Sequence, residues 1–435
     1  MSFLQITSDG PGLSRQLCKN PASGMTAWRL RKGVLAGWFS PSPQADDPRV
    51  YNLLFMDAFD DASFGRRREN EGAYYTADKL NSTLAVSSMI ATALNTRLNK
   101  PDEHLPDDNM PDKCTYTVTV PTVRTRRQAD DDPRPDRCVN LWGFLNSDAV
   151  HVRLDNDPKL GLGSLTVTGG SLHEVLCTTF IGCYLQAMVI HVADNRDTGA
   201  VAKAVWALNE VRAPYYPRYL LKARLPRQVV AEVADDLQAM PGHSLQMTYA
   251  SNNVERIHNV LKMASGDWPL VDLGCGEGAY LTLAKAIPTR PYLAVDRDEL
   301  CRAHVEAKAA AKGLTNITVH ADLTEAITKL QGQPFMGIAV ESLEHNPPEE
   351  ATRLVDQMFA AGCVLLVVTV PNRLFNHWYG LPEGVLRNPG HVFEPDELEL
   401  RALLGEGRRA VRVEPLGDVV DGESTAMLAV VTPLP

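Results

Sequence analysis

Apolar positions along the chain follow two patterns. In the first half, short runs of strand character (Tyr116–Val120, Leu165–Val167) mix with longer segments whose apolar residues recur at helical spacing. Tyr75–Leu98 and Leu172–Val192 are of this second kind and predict helices. Between them Arg124–Arg137 (RTRRQADDDPRPDR) carries proline and charges of both signs, which predicts a surface loop. From about Leu245 the pattern becomes short apolar strands alternating with helical stretches, the order of a parallel α/β sheet.

The segment joining these regions, Arg212–Val230, interleaves Tyr215, Tyr216 and Tyr219 with Arg218, Lys222, Arg224 and Arg227. Aromatic and basic residues so mixed can stack on and neutralise nucleic acid. The favoured alternative is a connecting helix whose tyrosines pack on a domain. A further helix, Asn252–Met263, leads to Trp268 and the next strand. The expected organisation is a mixed α+β N-terminal domain over 1–227, a proline-interrupted linker over 228–244, and a Rossmann-like α/β domain over 245–435. No internal repeat is evident.

Composition narrows the partners. The 435 residues suit two to four domains, and the apolar fraction of 44% is enough for more than one core. No apolar run reaches the length of a membrane span, and the start, MSFLQITSDG, does not resemble a secretory signal. Eight cysteines are scattered without a CxxC pair, as expected of reduced thiols in a cytoplasmic protein without structural zinc. Net charge is −10, and Leu245–Pro435 carries 16 Lys+Arg against 25 Asp+Glu. That excludes a long electrostatic grip on nucleic acid but leaves a small molecule, or contact with only a nucleotide or two.

Candidate chemistry begins at Pro269–Ile287, PLVDLGCGEGAYLTLAKAI. An apolar strand runs into Asp272, then Gly274-x-Gly276-x-Gly278, then a helix; glycines permit positive φ and close backbone approach to a ligand. The spacing differs from the dinucleotide fingerprint GxGxxG. It resembles motif I of class I methyltransferases, which cradles the methionine part of S-adenosylmethionine. Twenty residues after Gly276, Asp296 closes the strand PYLAVD, where an acid suits ribose hydroxyls. Asn316–Leu323 predicts a third strand ending at Asp322 and Leu323, where this class usually contacts adenine.

The fourth strand, Met336–Val340, ends in Glu341-Ser342-Leu343-Glu344-His345. Asn346 suits a helix cap and Pro347 a first helical position. Glu341, Glu344 and His345 thus lie at the carboxyl end of a strand, where open α/β sheets bind ligands. After the fifth strand, Cys363–Val370, a long loop brings His391 toward the same crevice. Mixed nitrogen and oxygen ligands suit Mn²⁺, with Mg²⁺, Co²⁺ or Fe²⁺ as alternatives. The competing reading makes the acids complements of a helix dipole and the histidines structural.

ESLEH at Glu341–His345, VPNRLFN at Val370–Asn376 and LRNPGHVFE at Leu386–Glu394 resemble the signature of RNA 3′-terminal ribose 2′-O-methyltransferases. LQITSDGPGLSRQLCKNP, YTADKLNSTLAVSSMIATALNTRL and RYLLKARLPRQVV are similar to the N-terminal half of the bacterial RNA-repair members. The resemblance implies S-adenosylmethionine as cofactor and Glu341, Glu344, His345 and His391 as ligands to Mn²⁺ or Mg²⁺. It implies an RNA 3′ end as substrate, its 2′- and 3′-hydroxyls held by the metal. It also implies a polynucleotide kinase-phosphatase and an RNA ligase as partners, docked through the N-terminal half. Gly390 stands where the family commonly has Asp, and Pro395 where it usually has Trp. Either His345 or His391 could accept the hydroxyl proton. Two other functions stay open: a small-molecule O-methyltransferase acting on vicinal hydroxyls, and an inactive cofactor-binding scaffold.

Overall fold

The computed structural model describes residues 2–30, 33–41, 48–57, 83–99, 114–125, 137–157, 161–190, 198–248, 259–260, 263 and 267–434. They form two compact units, Met1–Pro241 and Gly242–Pro435. The start of Tyr75–Leu98, the interior of Arg124–Arg137 and most of Asn252–Met263 lie outside the described residues. Among the described residues no helix is long and apolar enough to cross a membrane.

The first unit is built on a seven-stranded antiparallel sheet. Its strands are β1 (Ser2–Ser8), β2 (Thr26–Leu30), β3 (Gly33–Phe39), β4 (Val50–Asp57), β5 (Tyr116–Arg124), β6 (Val150–Asp157) and β7 (Leu162–Gly169), in the order β2-β3-β4-β1-β5-β7-β6. Along β1 every second side chain is buried, as a strand with one face on a core requires. Helices α1 (Thr83–Ala93) and α2 (Leu172–Ile190) cover that face. Apolar around its whole circumference, α2 is also packed by α3 (Thr198–Glu210) and by the helix Arg137–Phe144.

In the aromatic and basic segment, α4 (Tyr215–Lys222) buries Tyr215, Tyr216 and the whole of Arg218. The Arg218 guanidinium donates to Asn209 Oδ1 and to the carbonyls of Ala213 and Leu237, and its burial lowers its pKa to about 10. These side chains therefore pack the unit rather than face a ligand. Residues 228–244, expected as a linker, include two short helices (Arg227–Glu232 and Ala234–Gln238), and the division between units follows Pro241.

The second unit is a doubly wound sheet in the order β11-β10-β9-β12-β13-β15-β14-β8. Its strands are β8 (Leu245–Gln246), β9 (Leu270–Leu273), β10 (Tyr292–Val295), β11 (Ile317–His320), β12 (Phe335–Val340), β13 (Cys363–Pro371), β14 (Arg409–Val420) and β15 (Glu423–Pro433). β9 to β13 run parallel, and β15 returns antiparallel beside β13. β9, β10 and β12 are buried at every position, which explains their apolar sequence, interrupted only by Asp272. One face is covered by α5 (Leu281–Ala286) and α6 (Glu299–Ala311), the other by α7 (Leu323–Leu330), α8 (Pro348–Ala360) and α9 (Glu397–Leu403). β14 and β15 are joined by Asp421-Gly422, both at positive φ as a type I′ turn requires.

The start of α8 corrects the expected capping. Pro347 is extended (φ −55°, ψ 147°) because it precedes another proline, so the helix begins at Pro348. The Asn346 side chain instead donates to the Ser342 carbonyl.

Packing at Gly182 within α2 gives a test of the first unit. A Cβ there would lie 2.1 Å from Cζ3 of Trp142, whose buried indole donates to Gln186. Helix propensity favours alanine over glycine by about 0.5–1 kcal/mol, but overpacking costs about 1–3 kcal/mol. Gly182→Ala should therefore lower unfolding free energy in denaturant titration. Gly143→Ala, where a Cβ meets nothing within 4 Å, should be neutral or slightly stabilising. Equal effects at both sites would exclude the Trp142 contact as the cause.

Candidate active site at the sheet's switch point

The chain leaves β9 toward β10 on one side and later returns to β12 on the other, opening a crevice above their carboxyl ends. Gly274, Gly276 and Gly278 all have positive φ, yet each glycine serves a different need. At Gly274 a Cβ would come within 2.4 Å of Ser342 Cβ, so the loops after β9 and β12 could not approach this closely. At Gly278 it would meet the Leu281 and Val305 side chains. At Gly276 it would meet nothing within 4 Å, and Gly276 lines a crevice of about 600 Å³ with Asp296, Asp322, Leu323, Glu341 and His345. That open backbone fits a ligand held by its main-chain atoms.

Asp296 holds this loop as well as facing the crevice. Its carboxylate accepts from the N–H of Gly276 at 2.8 Å and of Asp298 at 2.9 Å, and each oxygen has a second lone pair for a ligand. Asp322 likewise caps α7 by accepting from Glu325 N–H at 2.9 Å. Asp272 stands outside the crevice lining: it is fully buried and hydrogen-bonded to the Tyr292 hydroxyl on β10. Burial pushes its carboxyl up to about 7; the Tyr292 bond opposes this and the charge of Asp296 adds to it.

After β12, Glu341 takes a left-handed backbone (φ 50°), unusual for a residue with a side chain. The chain then turns through Leu343–His345 before α8. Glu344 is fully buried, and its carbonyl accepts from Val392 N–H at 2.8 Å, drawing the long loop after β13 over the crevice. Glu344, His345 and His391 consequently present ligand atoms all within 4.8 Å of one another, and the two imidazole centres are 4.9 Å apart. Glu341 falls outside this group; Thr369 Oγ1 donates to its carboxylate at 3.3 Å.

The outer partners orient both rings. His345 Nδ1 lies 2.8 Å from the Gly390 carbonyl, which can only accept, so this nitrogen is the donor and Nε2 is the one left to face the site. His391 Nδ1 donates to Glu394 at 2.5 Å, leaving Nε2 3.9 Å from Glu344. Such a hydrogen bond from the far nitrogen is the usual support of a metal-ligating histidine. The donor set fits a divalent cation.

Glu394 escaped the sequence reading. Burial works against its charge, but hydrogen bonds from His391, Asn376 and Arg387 N–H hold its carboxyl below the ordinary range. The Arg387 guanidinium donates to Asn376 and to the carbonyls of Asn372 and Thr425, and lies 5.0 Å from the Tyr379 ring centre. The only local signal was the His391–Glu394 spacing.

A doubly wound sheet of this order, with its glycine loop after β9 and an acid after β10, is the Rossmann-like fold of class I methyltransferases. The family model of the Hen1 N-terminal domain matches residues 3–229, and the chain belongs to that family. Two solved structures, described as the Pnkp1/Rnl/Hen1 RNA repair complex and the Pnkp1/Rnl/Hen1 complex, each contain a chain similar over 99% of this one and 100% of its own length. Identity is 20% in both, with TM-scores of 0.74 and 0.73, a likeness of fold across both units. No curated protein matches the sequence.

Removing Glu394 should loosen His391 without touching the glycine loop. If Glu344, His345 and His391 hold a divalent ion, Glu394→Ala should weaken its binding, read by calorimetry with Mn²⁺, by roughly 10–100-fold. Unchanged Mn²⁺ affinity in a folded variant would exclude a role in orienting that ring.

Asp272 generates a pH prediction. Its folded pKa of about 7 lies above the ordinary 3.8, so between these values the folded state binds the proton and the unfolded state does not. Its contribution is therefore most favourable at low pH, falls as pH rises toward about 7, and levels above it. Relative to Asp272→Asn, wild-type stability should decline from about pH 5 to about pH 7 and then run parallel. A constant difference would mean that Asp272 titrates at its ordinary value.

Proposed function

We propose that this protein transfers a methyl group from S-adenosylmethionine to the 2′-hydroxyl of the 3′-terminal ribose of RNA, in RNA repair. The observation that carries this reading is the convergence of Glu344, His345 and His391 beside the glycine-lined crevice. Asp272, Gly274, Gly276, Gly278, Asp296, Asp322 and Leu323 are proposed as the cofactor-binding set. Asp296 would accept from the ribose hydroxyls, and Gly276 leaves space for the methionine part. Asp272 would act from behind the loop, through its neighbours.

Glu341, Glu344, His345 and His391 are proposed to hold one divalent ion, manganese or magnesium. Glu341 would join by turning from Thr369. Such an ion supplies Lewis acidity, which lowers the pKa of a bound hydroxyl, and a positive centre for vicinal oxygens. The fixed Nδ1 protons of His345 and His391 direct Nε2 of each ring to the site. Either Nε2 could take the hydroxyl proton only while it is not a ligand. Membership of the Hen1 N-terminal domain family, and the likeness to a chain of the Pnkp1/Rnl/Hen1 complex, support a polynucleotide kinase-phosphatase and an RNA ligase as partners. The first unit would dock them, as a domain separate from the catalytic one, in the cytoplasm.

Chelation should abolish methyl transfer, and Mn²⁺ should restore it at least as well as Mg²⁺. An RNA lacking either terminal hydroxyl should be a poor substrate, and one ending in a 3′-phosphate poorer still. Full activity in excess chelator, on RNA with a blocked 3′-hydroxyl, would overturn both the metal and the end-recognition parts of this reading.

A further inference from the structure

The candidate cofactor acid and the first candidate metal ligands do not follow neighbouring strands. Asp296 follows β10 and His345 lies beyond β12, with β9 between those two strands. At about 4.8 Å per strand spacing, the ends of β10 and β12 stand about 10 Å apart, with the glycine loop in the gap. Arg297 spans that distance, its guanidinium donating to the His345 carbonyl at 3.3 Å. Arg297 and His345 both line the crevice, so the bond bridges two of its walls.

Both abutments of this bridge are held firmly. Arg302, on α6, donates from one guanidinium nitrogen to the carbonyls of Asp296 and Arg297, at 2.9 Å each. The Asp296 carboxylate accepts from the N–H groups of Gly276 and Asp298, which ties the turn at 296–298 to the glycine loop. On the far side, His345 N–H donates to the Ser342 carbonyl at 3.3 Å, and the ring is fixed by its bond to the Gly390 carbonyl. The bridge itself is the loose member. It is long for a hydrogen bond, open to solvent, and made by a side chain with many rotamers to lose. Its occupancy therefore depends on how well the two turns are ordered, and a ligand on either turn changes that order.

Resting on the cofactor and metal readings above, we propose that Arg297 is a positioning residue that couples the two sites. S-adenosylmethionine on Asp296 tightens the divalent ion on His345, and the ion tightens the cofactor. A ribose held by Asp296 orders the turn that carries Arg297 and lowers the entropy cost of the bridge. The bridge then fixes the peptide of His345, and with it the imidazole. Such coupling is reciprocal, with the same factor in both directions. The chain thus holds its ion firmly when the methyl donor is present and loosely when the crevice is empty.

Calorimetry reads the coupling without turnover. S-adenosylhomocysteine serves as the probe, because it lacks both the methyl group and the sulfonium charge. When saturated with it, wild type should bind Mn²⁺ about five- to tenfold more tightly than the free protein does. Mn²⁺ should tighten S-adenosylhomocysteine by the same factor. Arg297→Met keeps a long side chain without donors; it should bring the factor to about one with Tm unchanged, and Arg297→Lys should retain part of it. Each variant is compared with itself, so the loss of a positive charge near the ion cancels from the ratio. Equal Mn²⁺ affinity in wild type with and without S-adenosylhomocysteine overturns the coupling while both sites stand. A factor that survives in Arg297→Met overturns the role of Arg297. Failure of wild type to bind Mn²⁺ in either state, or to bind S-adenosylhomocysteine at all, overturns the reading beneath the inference and the inference with it.

Discussion

With β10 on one side of β9 and β12 on the other, the connections that leave β9 and β12 must turn to opposite faces of the sheet. The gap above their carboxyl ends is a consequence of strand order, and most candidate functional groups occupy it or close it; Asp272 lies behind it. Gly274 permits the loops on its two sides to meet, since any side chain there would strike Ser342. The Glu344 carbonyl then pins the return segment at Val392, bringing a histidine from beyond β13 to one from the end of β12. The imidazole pair thus depends on a backbone contact between segments 48 residues apart in sequence.

How far sequence pattern reached follows from where each partner lies. The parallel strands were legible because burial on both faces demands continuous apolar runs, and β9, β10 and β12 have them apart from Asp272. Glycine spacing was legible because positive φ restricts residue choice at 274, 276 and 278. The Arg387 clamp was not legible: two of its acceptors are backbone carbonyls, at Asn372 and Thr425, and a carbonyl has no sequence identity. Asp272 was read from its place in a motif, whereas its hydrogen-bond donor, Tyr292, lies on the adjacent strand, a contact known only once register is fixed.

The first unit was harder to read for a different reason. Strands half-buried on an antiparallel sheet alternate apolar and polar residues, a weaker signal than a fully buried strand. β1 alternates cleanly in the structure, yet its short run includes Gln5 and Thr7 among the outward positions. Asp421-Gly422 is the opposite case: a strong hairpin signal, passed over, that joins the two longest strands of the second unit.

The anchoring of His345 has an evolutionary side. Its ring is oriented by the carbonyl of residue 390, an atom present whatever amino acid stands there. A Cβ at 390 would meet its nearest neighbours, Asn388 Oδ1 and the His345 ring, only at ordinary contact distance, 3.5 Å. That position can therefore drift between glycine and residues with a side chain while the imidazole keeps its tautomer. Glu394 has no such latitude, because its His391 contact is made by a side-chain oxygen that substitution would remove. Of two histidines in one site, one is buffered against mutation of its support and the other is exposed to it.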